Sequence, residues 1–288
     1  MTRYLKLMRV HHYMKNLLVF AALVASGELF DASKLGAGVL GFVAFCATAS
    51  AIYIINDIRD RDKDRLHPTK CKRPIAAGTV TVQSASVLAV VLLIIAAIAN
   101  VPVFHPAAAA LLAAYFFLNL AYSFGLKDVP IVDIAILAAG FVLRVIYGAI
   151  LTEIVISNWL YLAVFALSFY LALGKRRGEL LTVGKGSTRA VLKAYPLDFL
   201  NRSMNMCLTL ANVFYALWSM DQVTTSFYHN RFLIFTVPIV LLITLKYSLT
   251  IEGASDGDPV EVLLHDKILL MLVILYLAVM LGLSLIHI

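Results

Sequence analysis

The chain has 288 residues, of which 61% are hydrophobic and only 14% are charged. This composition excludes an ordinary soluble domain and indicates an integral membrane protein, since runs such as 80–98 and 268–286 approach the roughly 20 residues that cross a bilayer. The net charge of +7 favours an anionic partner, such as a phosphorylated substrate or a lipid headgroup, and we expect no nucleic-acid partner.

The N-terminal segment 1–15 carries four cations interleaved with apolar residues. This pattern predicts an amphipathic helix on the membrane surface that leads into the first span, and no cleavable signal peptide is evident. The adjacent His11 and His12 have no carboxylate or Cys at ligand spacing, which argues against a zinc site. At the entry to the membrane, Lys15 and Asn16 are expected to hold an anion instead.

About nine stretches of the chain are long enough to cross a bilayer as helices. Their predicted bounds are 16–30, 35–56, 80–100, 107–124, 129–150, 157–174, 202–220, 231–250 and 264–286. With the N-terminus in the cytoplasm, most connecting Lys and Arg fall on the cytoplasmic side, above all in the polar loops 57–79 and 175–201. The sequence therefore predicts one all-α domain over 1–288 in the cytoplasmic (inner) membrane, with about nine transmembrane helices around a central cavity open to the cytoplasm.

The highest concentration of charge follows the second predicted span, from Asn56 to Arg65. If the helix continues past Tyr53, Asn56, Asp60 and Asp64 recur at every fourth residue and share one face. Three converging oxygen ligands favour a magnesium site, in which water and substrate phosphates complete the shell of the metal. A solvated charged loop with weak Asp–Arg pairs is the alternative explanation.

A second polar cluster, from Tyr122 to Asp133, separates the fourth and fifth predicted spans. Asp133 lies about one turn into the membrane, where a carboxylate is costly and usually has a partner or a function. The alternative is a helix cap at Asp128 beside a surface Lys127. Arg144 returns to the face of Asp133 about 16 Å deeper, and we expect it to face a cavity or to pair with a carboxylate or with carbonyls.

A third polar cluster ends the sixth predicted span with Lys175, Arg176 and Arg177, between two glycines. Cations are normal at a helix C-terminus because they oppose the negative end of the dipole. The flanking glycines, however, leave the guanidinium groups free to bind a phosphate through two hydrogen bonds. The last loop, 252–261, is predicted to be a turn rather than a calcium site, with Asp266 near the functional site.

The distribution of polar residues also bears on the class of protein. A channel or transporter would place polar residues through the middle of the membrane, or break its helices at matching positions in two halves. Here the ionisable groups gather at one end of the predicted spans. This favours an enzyme that acts on phosphorylated substrates over a transporter or a lipid-binding scaffold, which remain the less favoured alternatives.

The pattern Asn56-Asp57-x-x-Asp60-x-x-x-Asp64, placed after the second span, resembles the first aspartate-rich motif of the UbiA superfamily of intramembrane prenyltransferases. Segment 73–78 also looks like that family, and the resemblance covers essentially the whole chain. Four local patterns, in 13–16, 67–70, 122–127 and 174–176, look most like the members that transfer phosphoribose to decaprenyl phosphate. The second family motif, DxxxD, is not matched, because Asp128 and Asp133 are one residue too far apart.

The resemblance implies a magnesium-dependent transfer of 5-phosphoribose from phosphoribosyl pyrophosphate to a polyprenyl phosphate, in the synthesis of cell-wall polymers. Asn56, Asp60 and Asp64 would hold Mg²⁺ on the pyrophosphate, and Lys127 would complete the catalytic set by steadying the departing group. The residues implied in substrate binding are Lys15, Asn16, Asp57, Lys70, Arg73, Tyr122, Asp133, Arg144, Lys175 and Arg176. A prenyltransferase with a prenyl diphosphate donor is the alternative, and a homo-oligomer is a possible assembly.

Overall fold

The computed structural model describes residues 2–66, 70–183, 190–227, 232–253 and 257–285, and all regular secondary structure within these ranges is helical. The α-helices are α1 Thr2–Met8, α2 Ala21–Ser26, α3 Ala32–Arg59, α4 Arg61–Arg65, α5 Val82–Asn100, α6 Pro106–Phe124, α7 Val132–Leu151, α8 Asn158–Val183, α9 Leu197–Met220, α10 Gln222–Phe227, α11 Val237–Glu252, α12 Pro259–His265 and α13 Lys267–Leu285. Short 3₁₀ helices lie at Val10–Phe20, Lys70–Lys72, Val101–Val103, Leu126–Asp128, Ala190–Ala194 and Phe232–Thr236.

Seven helical segments in the described part of the chain are long and apolar enough to cross a membrane. They are Ala32–Arg59, Val82–Val103, Pro106–Phe124, Val132–Leu151, Asn158–Thr182, Phe232–Glu252 and Lys267–Leu285. Each coincides with one of the predicted spans, so the all-α, multi-pass membrane architecture is confirmed. Many of their large apolar side chains are exposed, as expected for helices whose outer faces contact lipid.

The two other predicted spans have a different character, and the count of nine is not confirmed. Residues 16–30 contain the end of a 3₁₀ helix and the six-residue α2 instead of one long α-helix. The predicted span 202–220 lies within α9, which starts earlier, at Leu197, and packs against α8. Polar residues along α9, such as Asp198, Arg202, Asn205 and Asn212, interrupt its apolar sequence, and α9 is not one of the seven segments.

Small residues allow close packing at the centre of the bundle. Alanines of α3, including Ala44, Ala47 and Ala51, pack in one cluster with Ala85 and other alanines of α5. Alanine side chains let two helix backbones approach closely, which is how helices associate in a membrane without a hydrophobic driving force. The central position of α3 fixes the place where its charged C-terminus emerges.

A glycine contact seats the 3₁₀ helix Val10–Phe20 against α7. A β-carbon on Gly148 would lie only 1.8 Å from the carbonyl oxygen of Val19, so a larger residue would push the two backbones apart. This contact fixes the segment that carries Lys15 and Asn16 at the start of the bundle.

Most of the ion pairs between described residues lie at one end of the bundle, which we call the polar end, and Glu28–Lys34 at the N-terminus of α3 is an exception. Contacts described below join the C-termini of α3 and α8, the N-terminus of α7 and the 3₁₀ helix Val10–Phe20 at this end. The predicted polar loops are partly helical here, because α3 continues to Arg59 and α4 follows, and α8 continues to Val183. The predicted amphipathic helix 1–15 is interrupted at Arg9, whose φ of 53° lies in the left-handed region.

Candidate active site

The aspartate-rich motif spans the junction of α3 and α4. The Asp60 amide donates to the Asn56 carbonyl at 2.9 Å, and the Asp64 amide donates to the Asp60 carbonyl at 2.8 Å. Asp60 itself stands between the two helices, with a φ of −86° and a ψ of 6°, so the helix predicted through the motif is interrupted there. Asn56 belongs to α3 and Asp64 to α4, and a face shared by all three side chains stays a prediction.

Two arginines neutralise the buried carboxylates of the motif. Arg73 places Nη1 3.0 Å from Asp57 Oδ1 and 2.7 Å from Asp64 Oδ2, so a single nitrogen bridges the two aspartates. Arg9 places Nη2 2.7 Å from the same oxygen of Asp57 and lies over the Tyr53 ring, 4.7 Å from its centroid. Asp57 and Asp64 are buried, so these pairings offset their desolvation.

The lysine after α6 reaches the same motif. Lys127 Nζ lies 3.3 Å from Asp60 Oδ2, and both side chains keep some contact with solvent. Lys127 belongs to the 3₁₀ turn Leu126–Asp128, which Gly125 starts with a φ of 146° that only glycine adopts readily. The sharp turn brings α6 back toward α3, and this places Lys127 on the same side of the bundle as the acids.

The donor set at this motif suits Mg²⁺ arriving with a phosphorylated ligand. Among the described residues, no three Asp, Glu, His or Cys side chains are clustered so as to hold a metal by themselves. Magnesium, however, is usually bound by one or two carboxylates together with waters and substrate phosphates. Asp60 and Asp64, with the amide oxygen of Asn56, supply oxygen ligands of the type that Mg²⁺ prefers, so the residues fit the ion.

Arg176 lies in a buried polar network instead of at an open surface. Its Nε donates to Asp133 Oδ2 at 2.6 Å, its Nη1 to Glu179 Oε2 at 2.7 Å and its Nη2 to the Tyr122 hydroxyl at 2.7 Å. The Arg176 side chain is fully buried, and all three of its nitrogens have a partner. This corrects the expectation that the arginine forks are free, and it shows Tyr122 and Asp133 bound to a protein cation.

Tyr195 connects this network to the start of α7. Its hydroxyl donates to Asp133 Oδ1 at 2.5 Å and accepts a hydrogen bond from the Ile131 amide at 2.6 Å. Burial and the hydrogen bond to Asp133 raise the pKa of Tyr195 above its usual range, so the hydroxyl keeps its proton. Ile131 has a φ of 69°, an unusual conformation for a β-branched residue, which a fixed hydrogen bond helps to maintain.

A third charged group joins three distant parts of the chain. Lys15 Nζ lies 2.7 Å and Lys175 Nζ 3.9 Å from the same oxygen of Asp258, which precedes α12. Burial acts to raise the pKa of Asp258, but the two ammonium groups outweigh it and lower the pKa to about 2. The sequence-based analysis places Asp266 near the site, whereas the structure pairs Asp266 with Lys246 at 2.7 Å and brings Asp258 to the lysines.

Arg144 and Asn16 bind each other inside the bundle. Arg144 Nε donates to Asn16 Oδ1 at 2.8 Å, Nη2 donates to the Tyr115 hydroxyl at 3.0 Å and Nη1 donates to the Gly140 carbonyl. The Asn16 amide donates to Cys46 Sγ at 3.2 Å. The partners of Arg144 are thus a carbonyl, a hydroxyl and an amide, and Asn16 uses its oxygen on Arg144 instead of holding an anion beside Lys15.

Of the remaining residues that the sequence analysis singles out, Lys70 is described by the structure and several others are not. Lys70 begins the 3₁₀ helix Lys70–Lys72, and its carbonyl accepts the Arg73 amide at 2.9 Å, so it helps to shape the turn that presents Arg73. Residues 67–69, which contribute to the resemblance, lie outside the described residues. So do Lys185 and Arg189 of the predicted polar loop 175–201, Arg231 at the start of the predicted span 231–250, and Asp256 of the last loop.

Four residues that join these networks at the polar end are missing from the sequence-based set: Arg9, Glu179, Tyr195 and Asp258. Arg9 and Glu179 are charged residues close in sequence to predicted clusters, so a wider window would have included them. Asp258 stands before Pro259, a pattern typical of a helix N-cap, but this signal predicts a cap and not a contact with lysines. Tyr195 has no local signal at all.

Comparison with known proteins shows that most of the chain is similar to one family and to several of its members. Residues 17–258 match the model of the UbiA prenyltransferase family. The chain is 35% identical to the decaprenyl-phosphate phosphoribosyltransferase of Mycolicibacterium smegmatis, over 92% of this chain and 87% of that protein. It is 35% identical to the Corynebacterium glutamicum protein of the same name, over 92% of this chain and 81% of that protein. The Mycobacterium tuberculosis protein of that name is 32% identical, over 95% and 91% of the two chains.

Solved structures share the fold at lower sequence identity. A UbiA homologue from Archaeoglobus fulgidus bound to DMAPP and Mg²⁺ superposes with a TM-score of 0.71 at 20% identity, covering 97% of this chain and 99% of that one. The same homologue bound to GPP and Mg²⁺ gives a TM-score of 0.69 at 21% identity, with the same coverage. These likenesses show that the arrangement of helices is the same.

Proposed function

The chain belongs to the UbiA prenyltransferase family, and we propose that it transfers 5-phosphoribose from phosphoribosyl pyrophosphate to a polyprenyl phosphate, releasing pyrophosphate. The names of relatives at 32% to 35% identity support this choice of donor and acceptor. The observation that carries the proposal is the contact of Lys127 with Asp60, beside the two aspartates that Arg73 bridges. In each of these contacts a carboxylate suited to a metal pairs with a cation suited to phosphate.

The reaction needs stabilisation of the leaving group more than it needs a base. A lipid phosphate oxygen forms a bond to the anomeric carbon of the ribose, and the bond from that carbon to pyrophosphate breaks with its electron pair. An ionised phosphate is already a nucleophile, so no proton has to be removed. Negative charge develops on the departing diphosphate, and preorganised donors around it lower the barrier.

Lys127 and Arg73 are placed to supply those donors. In the structure they bind Asp60 and Asp64 at 3.3 Å and 2.7 Å, and both cations are partly exposed. Asn56, Asp60 and Asp64 would hold Mg²⁺, which when bound polarises the leaving diphosphate. With Asp60 and Asp64 engaged by the ion, Lys127 and Arg73 would be available to donate to phosphate oxygens. Asp57 remains with Arg9, which fixes the backbone of the motif.

Lys15 and Lys175 are the cations that we assign to a phosphate other than the leaving group. Both ammonium groups approach Asp258, and both side chains are partly exposed. We assign Arg176, Asp133 and Tyr122 a supporting part, because their hydrogen bonds to one another tie α8 to the start of α7, next to Lys127. Arg144 and Asn16 support the bundle deeper inside by the same kind of contact.

The membrane setting follows from the two substrates. A polyprenyl tail stays in lipid while its phosphate meets a water-soluble donor, which requires a site at the membrane surface. We infer that the polar end faces the cytoplasm in the cytoplasmic membrane, because cations such as Arg59, Arg61 and Lys63 cluster there. A single domain over 1–288 is part of the proposal, and the homo-oligomer stays a prediction.

A prenyltransferase that uses a prenyl diphosphate donor is the second candidate. Solved structures of a UbiA homologue with this fold contain DMAPP or GPP together with Mg²⁺. Both reactions break a bond between carbon and pyrophosphate, so the same acids and cations suit either donor. The donor therefore has to be decided by experiment.

The test offers both donors to the same purified protein. The protein in lipid nanodiscs receives Mg²⁺, a polyprenyl phosphate and an aromatic prenyl acceptor, with phosphoribosyl pyrophosphate and a prenyl diphosphate carrying different labels. We expect the phosphoribosyl label in a lipid product and no transfer of the prenyl label. Transfer of the prenyl label alone would replace the proposal by the second candidate.

A further inference from the structure

Three segments far apart in sequence place charged groups at one point of the polar end. Lys15 comes from the 3₁₀ helix Val10–Phe20, Lys175 from α8 and Asp258 from the residue that precedes α12. One carboxylate oxygen of Asp258 lies 2.7 Å from the first ammonium group and 3.9 Å from the second. The Lys15 and Asp258 side chains are 12% and 11% exposed, so this contact is largely removed from water.

The backbone holds the Asp258 carboxylate in a fixed position. Its other oxygen accepts the Val260 amide at 3.0 Å and caps the start of α12. The preceding Gly257 has a φ of 75°, and a β-carbon there would lie 2.5 Å from the Gly174 carbonyl oxygen. Because Gly257 packs directly on Gly174, the segment before α12 is seated against the residue next to Lys175.

The balance of charge at this point differs from that at the neighbouring arginines. Among the ion pairs between described residues, Arg176 has two carboxylate partners, Asp133 and Glu179, and Arg177 has Glu252. In the part of the chain that the structure describes, Lys15 and Lys175 have only Asp258 between them as an ion-pair partner within 4.0 Å. Two ammonium groups that share one carboxylate retain a positive charge, which suits a further anion.

From these contacts we propose that Asp258 is a positioning residue, which holds Lys15 and Lys175 side by side so that together they bind one phosphate monoester. The inference rests on the proposed function, which supplies two such groups, the 5-phosphate of the donor and the phosphate of the lipid acceptor. Asp258 itself acts through the lysines and does not contact the phosphate.

Loss of the carboxylate would separate the two cations. Like charges repel each other, and partly buried ammonium groups without a counter-ion are costly in free energy. Without Asp258, each lysine side chain would turn toward water, and phosphate binding would then require bringing the two together again. Asp258→Asn should therefore weaken phosphate binding even though it makes the site more positive.

The experiment measures binding of two phosphate monoesters by isothermal titration calorimetry on the full-length protein in nanodiscs. Ribose 5-phosphate probes the donor side and farnesyl phosphate probes the acceptor side. We expect Asp258→Asn to raise the Kd of one of them about tenfold, the size of one lost charge-assisted hydrogen bond. The probe that is affected identifies which phosphate the lysines bind. An unchanged Kd for both probes, or a lower Kd for either, would overturn the proposal.

Matched variants separate positioning from general damage. Asp266→Asn removes another carboxylate that caps a helix and pairs with a lysine, Lys246, and it should leave both Kd values unchanged. Asp258→Glu keeps the charge and should bind within about threefold of the wild type. If Asp258→Asn does not fold, the double variant with Lys175→Met restores the charge balance. It should bind as weakly as Lys175→Met alone, and a further tenfold loss in the double variant would contradict the proposal.

The binding measurement is independent of catalysis. If the wild type transfers no phosphoribose but Asp258→Asn still weakens binding of ribose 5-phosphate or farnesyl phosphate, the proposed function fails and the positioning role stands. If the wild type transfers phosphoribose and neither Kd changes in Asp258→Asn, the positioning role fails and the proposed function stands.

Discussion

Arg73 and Arg176 each pair with two carboxylates, yet their surroundings give them different tasks. Arg73 is 24% exposed, and its contacts with described residues place one nitrogen, Nη1, between Asp57 and Asp64. Arg176 is 0% exposed, and it uses Nε, Nη1 and Nη2 on Asp133, Glu179 and Tyr122. The comparison teaches that a buried arginine whose nitrogens all bind protein groups supports the fold. A partly exposed arginine that uses one nitrogen on protein groups can bind a ligand with its others.

The largest loss of stability should come from replacing Arg176, the buried arginine of the two. Arg176→Met leaves Asp133 buried without its cation, and loss of one partner of a buried ion pair costs about 3–5 kcal/mol. We expect this loss in the free energy of unfolding, measured by denaturant titration in detergent.

The matched variant is Arg73→Met, in which Asp57 keeps its pairing with Arg9. Asp64 loses its cation, but Arg73 is 24% exposed, so water can reach the vacated position and the loss of stability should be smaller than in Arg176→Met, while transfer activity falls. Equal destabilisation of the two variants would show that exposure does not separate their tasks.

The second prediction concerns catalysis at the aspartate-rich motif, where Arg73 lies. Asp60→Asn should lower kcat about 10²–10³-fold, the range for removal of one group that stabilises developing charge, with little change in stability. Asp62→Asn is the control, because Asp62 lies in the same segment but is 74% exposed and pairs only with Arg61 and Arg65 among the described residues. Rates are measured as lipid product formed per minute. A similar loss in the control would point to damage of the helix instead.

The third prediction concerns Tyr195, which joins the Arg176 network to the chain segment between Lys127 and α7. Tyr195→Phe removes the acceptor of the Ile131 amide and a donor to Asp133, and an unsatisfied buried polar group costs about 1–3 kcal/mol. We expect a lower thermal midpoint and a higher KM for the donor, because the turn that carries Lys127 loses its anchor. Tyr161→Phe, at an exposed position on α8, should leave both quantities unchanged.

The smallest effect near neutral pH is a pH dependence at His12, which grows as the pH falls. Burial, followed by the charge of Lys15, lowers the pKa of His12 from 6.5 to about 3, against the opposing charge of Asp258. Between these values the unfolded chain binds a proton that the folded chain does not, so stability falls as pH falls from 6.5 toward 3, by at most about 1.4 kcal/mol per pH unit. His12→Gln should flatten this slope in denaturant titrations, whereas His11→Gln, at the neighbouring exposed position, should preserve it. A slope that is the same in the wild type and in His12→Gln would contradict the assignment.

Local spacing allowed part of the site to be predicted from the sequence. Asn56, Asp60 and Asp64 recur at every fourth residue, and a backbone hydrogen bond joins each to the next, although Asp60 ends α3 and a separate helix, α4, follows it. Apolar runs of the right length predicted seven of the spans, because membrane crossing depends on local hydropathy. Lys127 was expected near the acids on the strength of the resemblance, and the structure places it on Asp60.

The rest depends on contacts between distant segments. Asp258 meets Lys15 across 243 positions in the sequence, and Tyr195 meets Asp133 across 62, and no local pattern reports such pairs. The expectation of a free guanidinium group at Arg176 was wrong for the same reason, because flanking glycines suggest a free side chain while α8 continues and buries it. Burial is set by the partner segment, which the local sequence does not describe.

The most direct test of the central claim is the binding of a divalent metal at the aspartate-rich motif. Mn²⁺, used in place of Mg²⁺, is titrated into the protein in nanodiscs with pyrophosphate present, and bound metal is measured by electron paramagnetic resonance. We predict tight binding in the wild type and in Asp62→Asn, and its loss in Asp60→Asn and Asp64→Asn. Equal binding of Mn²⁺ in all four proteins would contradict the claim that these acids hold the metal on the diphosphate.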